Sequence, residues 1–142
     1  MSQTHPLIGT AVWVRKDGKY LLGVRTKKTG TGTWCPPGGH LEMFETLEEC
    51  VVRETREEAS IEIDNIRFLC FGENPFPEGG THYITMHYEA DWESGEPAVL
   101  LSEVSKWDWF SWDSLPKPLF KPAQLFLESG SRPHAPGIEF IH

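Results

Sequence analysis

Two runs of β-branched and apolar residues, 7–14 (LIGTAVWV) and 19–25 (KYLLGVR), flank an Asp-Gly pair, so an antiparallel hairpin is expected to open the chain. The polar, glycine-bearing stretch 26–33 (TKKTGTGT) then reads as a loop, and it gathers Lys27 and Lys28 close to Arg25. From Thr46 to Ala59 neither Gly nor Pro interrupts a run of helix formers. Thr46 followed by Glu49 is a capping-box pattern, so a helix is predicted over 46–59. A short apolar strand is expected at 66–72, a proline- and glycine-rich loop at 73–80 (ENPFPEGG), and a strand at 82–91 (HYITMHYEAD), where bulky apolar and mostly polar positions alternate. Trp92 to Pro97 (WESGEP) makes the next turn. Trp107 and Trp109 share one side of a further strand that stops at a turn near Asp113, and core packing is the favoured role for both. The stretch 118–130 predicts a C-terminal helix with Pro122 in its first turn, closing at Gly130. Residues 131–142, with Pro133 and Pro136, read as a tail.

No repeat or composition break divides this pattern, and 142 residues suit one domain spanning 1–142. A composition 39% hydrophobic and 24% charged is that of an ordinary folded protein. The formal net charge of -8 argues against a long nucleic acid as partner, because phosphate backbones call for a basic stripe. A small polyanion is still compatible if a divalent cation lies between it and the acidic protein. Cys35, Cys50 and Cys70 are odd in number and match no metal-binding spacing, which fits reduced thiols. With no charged leader before an apolar run, and no stretch approaching a membrane span, a cytoplasmic protein without membrane contact is expected.

The densest chemistry lies at 34–61 (WCPPGGHLEMFETLEECVVRETREEASI). At about 100° of rotation per residue, Glu54, Glu57 and Glu58 fall within an arc of about 100° on one helix face. Like charges so spaced cost roughly 0.2–0.5 kcal/mol per pair. Three carboxylates therefore point to a hard cation such as Mg²⁺, which prefers oxygen ligands. Glutamate-rich helices are also common as solvated faces, and Arg53 and Arg56 could neutralise their neighbours.

Spacing decides between these readings. Five residues separate Gly39 from Glu45, seven separate Glu45 from Arg53-Glu54, and Glu57-Glu58 follow before Ile61. This resembles the Nudix box of MutT-like hydrolases, here over 39–61. Ser60 stands where a glycine is usual and Thr55 where an aliphatic is common. Further stretches (YLLGVR, TWCPPGGH, HYITM, WDWFSWDSLP) are similar to the MutT-homologue nucleotide triphosphate diphosphatases, and the likeness covers most of 7–127.

The resemblance implies an α/β fold, an α-β-α sandwich with a central mixed β-sheet. It implies Mg²⁺-dependent hydrolysis of nucleoside triphosphates, modified or oxidised ones included, to a monophosphate and pyrophosphate, with Mn²⁺ as a substitute ion. The metal ligands it suggests are Glu54, Glu58, Glu57 and the Gly38 carbonyl, with either Glu54 or Glu57 as the base. Arg53 and Glu45 would orient the box, and Gly38 and Gly39 would let backbone approach metal or phosphate. Arg25 would hold a phosphate, or stand as a solvated strand-end cation. His40 would touch phosphate or sugar. Trp34, Thr85, Phe120 and Lys121 fall near positions that flank the base, with Trp34 equally suited to the core. Glu103 lies in a loop where some relatives supply another acid. A homodimer is the assembly the resemblance suggests. Two other readings are hydrolysis of ADP-ribose or a similar nucleoside diphosphate derivative, and a nucleotide-sensing module without catalysis.

Overall fold

The computed structural model describes residues 3–133; most of the expected tail lies outside the described residues. The first hairpin joins β1 (Leu7–Lys16) to β2 (Lys19–Arg25). Asp17 and Gly18 both have positive φ, 51° and 77°, the conformation that two-residue hairpins favour and that Asp-Gly tolerates. The two strands pair only next to that turn, at Arg15 with Tyr20 and Lys16 with Lys19. Beyond it they part, and the Pro-Pro-Gly-Gly segment fills the gap. Thr10 N–H donates to the Gly39 carbonyl and Val12 N–H to that of Pro37, both at 2.8 Å.

The remaining strands are β3 (Trp34–Cys35), β4 (Glu62–Phe76), β5 (Thr81–Ser94) and β6 (Val104–Ser111). The sheet order is β3-β2-β1-β5-β4, with β6 also on β2. β1 runs parallel to β5, while β4 with β5 and β2 with β6 are antiparallel, which makes the sheet mixed.

Alternation along β1 and β2 explains the layers. Val12, Val14 and Leu21 join Val51, Ala59 and Ile61 in one buried cluster under α1 (Leu47–Ala59). Trp13, Tyr20 and Leu22 face the other way and pack with Ala123 and Phe126 of α2 (Lys121–Glu128). Both sheet faces are covered, so these strands carry hydrophobic residues at consecutive positions. Trp107 and Trp109 pack against the α1 side, the core role the sequence favours for them.

The expected helix forms, with Thr46 as its cap: Thr46 Oγ1 accepts from Glu49 N–H at 3.1 Å and Glu49 Oε1 from Thr46 N–H at 2.8 Å. Thr55 is fully buried in an aliphatic position because its hydroxyl donates to the Val51 carbonyl, 2.9 Å away. Ser60 ends the helix in the left-handed region, φ 61°, so the usual cap geometry survives without glycine.

Two expectations are corrected. Residues 73–76 do not form a loop: β4 continues through them, with Glu73 to Phe76 paired to Ile84 to Thr81, and only Pro77–Gly79 forms a 3-10 turn. Pro75 is tolerated because β4 is an edge strand, where a missing donor breaks no ladder. Likewise Trp92 to Ser94 extend β5, and the turn starts at Gly95, φ 96°.

Ser60→Gly is expected to stabilise the fold by about 1 kcal/mol, since only glycine adopts this conformation without a Cβ penalty. Thermal melts should show Tm rising by roughly 3 °C. An unchanged Tm would mean that the serine is not strained there.

Candidate active site

Arg53 organises the box. Its Nε donates to Glu45 Oε2 at 2.6 Å and one terminal nitrogen to Glu45 Oε1 at 3.0 Å, a two-pronged pair. The same nitrogen reaches the His40 carbonyl at 2.9 Å, so helix and glycine loop are tied through one guanidinium. The other terminal nitrogen donates to Glu54 at 2.6 Å and Glu57 at 3.0 Å. The Arg53 hydrogen bond holds the Glu45 carboxyl far below its ordinary value, at about 2.

The acids of the helix divide accordingly. Glu54 packs against Gly39, where a Cβ would collide with its carboxylate, and burial raises its pKa. Glu58 has a side chain only 7% exposed; burial pushes its carboxyl up to about 7 against the pull of Lys27. Gly38 N–H lies 3.4 Å from Glu58 Oε1, and Lys27 Nζ lies 3.9 Å from its other oxygen. Glu57, 59% exposed, faces outward. One Arg53 nitrogen bridges Glu54 and Glu57, while Glu58 points to the other side, toward Lys27 and the Gly38 N–H.

Gly38 is squeezed against β1, since a Cβ there would strike the Thr10 carbonyl. Because the Pro37 and Gly39 carbonyls take the bonds to β1, the Gly38 carbonyl lies outside that ladder.

A cavity of about 360 Å³ opens beside this loop. Of the expected contact residues, Arg25, Gly38, Gly39, His40, Thr85 and Phe120 line it, together with Glu58. The Arg25 guanidinium carbon lies 3.8 Å from the centroid of the Phe120 ring, and its Nε donates to the Thr29 carbonyl at 2.9 Å. The His40 ring stacks on Tyr83. Thr85 is buried, and its hydroxyl is committed to Asn74. Trp34 does not line the cavity; it packs edge-on against Phe110 within the α2-side cluster, the core alternative. Lys121 also lies outside the lining.

Sequence reasoning noted Lys27 and Lys28 as a basic cluster without assigning them to a site, and among the other lining residues it passed over the aromatic pair Phe76 and Tyr83. A signal existed for Tyr83, which shares a strand face with Thr85 two residues on. Phe76 was hidden by the loop reading of 73–80.

Glu45 allows a pH test. Its pKa is depressed from 4.5, so its stabilising contribution is present above about pH 4.5 and is lost as pH falls toward 2. Glu45→Gln is expected to cost about 2 kcal/mol at pH 7, the scale of hydrogen bonds to charged groups. Urea unfolding at pH 7 and pH 3 should show the gap to wild type shrinking in acid; a constant gap would detach it from Glu45 ionisation.

Comparison with known proteins agrees with this geometry. The NUDIX domain family matches residues 5–129. NAD-capped RNA hydrolase NudC of Photorhabdus laumondii is 38% identical over 105 residues, covering 74% of this chain and 39% of that protein. The Vibrio atlanticus NudC is 40% identical over 107 residues, covering 74% and 37%. This chain thus spans under half the length of the curated relatives it matches. Among solved structures, the MutT NUDIX hydrolase from Burkholderia pseudomallei superposes with a TM-score of 0.82 at 32% identity, covering 87% of this chain and 97% of that one. As the family match runs from before β1 to the end of α2, the chain belongs to the NUDIX family of hydrolases.

Proposed function

We propose that this protein hydrolyses nucleoside triphosphates to a nucleoside monophosphate and pyrophosphate, using Mg²⁺ with Mn²⁺ as a substitute. The observation that carries this reading is the mixed lining of the cavity. One deep carboxylate, Glu58, shares it with three cations, Arg25, Lys27 and Lys28, and with the rings of Phe76, Tyr83 and Phe120. In a protein of net charge -8 three cations on one cavity favour a polyphosphate, and the rings favour a base. About 360 Å³ is within the range of small-molecule sites.

The residues suit a hard divalent ion. Burial leaves the carboxyls of Glu58 and Glu54 costly to ionise, a cost that a cation beside them would offset. Glu58, Glu54 and the Gly38 carbonyl would hold the ion. When bound, it would neutralise phosphate charge and acidify water. Arg53 fixes the orientation of Glu54 and Glu57, and one of these two would accept a proton from an attacking water. Arg25 and Lys28 would neutralise phosphate oxygens. His40, backed by Tyr83, would face the sugar, and Phe120 the base.

The NudC relatives, named as NAD-capped RNA hydrolases, favour a second reading, in which the bond cut is the diphosphate bridge of a dinucleotide such as NAD or of a related compound such as ADP-ribose. The same carboxylates would serve it.

Product analysis separates the two. Wild type and Glu58→Gln are incubated with nucleoside triphosphates, ADP-ribose and NAD, with and without Mg²⁺. Pyrophosphate and monophosphate are expected from the triphosphates with wild type and metal alone, and Glu58→Gln should lose roughly a hundredfold or more, the scale for removing one electrostatic contact to the reacting group. Cleavage of ADP-ribose or NAD with triphosphates untouched would transfer the assignment to the second reading.

A further inference from the structure

Lys27 belongs to the loop after β2, yet its ammonium lies at the deepest carboxylate of the cavity. It forms an ion pair with Glu103 Oε2 and stands 3.9 Å from Glu58 Oε2. Glu103 Oε2 is itself buried, and this ammonium is its counter-ion. The arrangement is anchored by the backbone. Thr26 N–H donates to the Glu103 carbonyl at 3.0 Å, and its hydroxyl donates to the Leu101 carbonyl at 2.7 Å. Lys27 is thereby held across from the loop before β6, with its side chain 36% exposed.

A divalent ion that took Glu58 as a ligand would sit about 2 Å from a carboxylate oxygen. An ammonium within 4 Å of the same carboxylate would repel it strongly in so shielded a site. The two cations are therefore alternatives for one position. A flexible four-carbon stem lets the lysine swing away, as a rigid guanidinium fork would not. Lys27 and Lys28 both line the cavity, so a displaced ammonium has a nucleotide's phosphates within its reach.

We propose that Lys27 is an exchangeable counter-ion: it competes with the divalent cation for Glu58 and Glu103 and, once displaced, engages the phosphates of the nucleotide. This rests on Glu58 being a metal ligand, as proposed above. Metal and nucleotide then assist each other, because each favours the swung-out lysine, and the coupling is reciprocal.

The test is calorimetric titration of Mn²⁺ into wild type, Lys27→Met, Lys28→Met and Glu58→Gln at physiological ionic strength, repeated with a non-hydrolysable α,β-methylene nucleoside triphosphate present. Lys27→Met is expected to bind Mn²⁺ alone roughly tenfold more tightly, since a competing charge within 4 Å is gone. Lys28→Met, which removes a charge from the same loop, should stay within about threefold of wild type, as an exposed charge is screened. The gain in nucleotide affinity on adding Mn²⁺ should shrink in Lys27→Met. An unchanged Mn²⁺ affinity in Lys27→Met, or equal tightening in Lys28→Met, would overturn the exchange while leaving Glu58 as ligand wherever Glu58→Gln abolishes binding. Full Mn²⁺ binding by Glu58→Gln would instead remove the metal reading, and the exchange with it. Near-ultraviolet circular dichroism confirms folding of each variant.

Discussion

The carbonyls of Pro37 and Gly39 accept N–H groups of β1 that β2 leaves unpaired, and the rest of the candidate site depends on that substitution. A loop is thereby held as firmly as a strand. It can lie so close only because Gly38 has no Cβ to strike Thr10, and because Gly39 leaves room for the Glu54 carboxylate. The glycines thus serve contact with β1 and with the helix as well as any approach by a ligand.

The second constraint is electrostatic. A helix with acids at 54, 57 and 58 is tolerated because one guanidinium is shared among Glu45, Glu54 and Glu57, and because Lys27 reaches Glu58 from another loop. Arg53 is as much a structural tie as a charge, since it also grips the His40 carbonyl. Repulsion is spread over several elements rather than met on the helix face alone.

Much of this was legible in the sequence. The hairpin, the capped helix, Pro122 in the first turn of α2 and the core role of Trp107 and Trp109 follow from local chemistry and period-two patterning. Ordering roles for Glu45 and Arg53 came from the resemblance, and the structure adds that the two residues bond each other. What could not be read depends on neighbours. Proline and glycine in 73–80 signal a loop, but pairing with β5 overrides that signal up to Phe76. Trp34 has the chemistry to stack on a base, and only the position of Phe110 turns it, partly buried, against the α2-side cluster. The hydroxyl of Thr85 has a partner in Asn74 that no spacing along the chain announces. The counter-ion of Glu58 comes from residue 27, far along the chain, and side-chain pairs of this kind leave no periodic trace.

β1 carries unequal cargo on its two faces: Val12 and Val14 toward α1, Trp13 toward α2. A slip of one residue would drive an indole into space sized for valine and turn Thr10 away from the loop. Strand alignment is therefore policed by volume, and the same alignment sets which N–H groups meet Pro37 and Gly39. Evolution of the interior around Trp13 is consequently not independent of the chemistry across the sheet, because altered bulk beneath α2 shifts the rail on which the glycine loop rides.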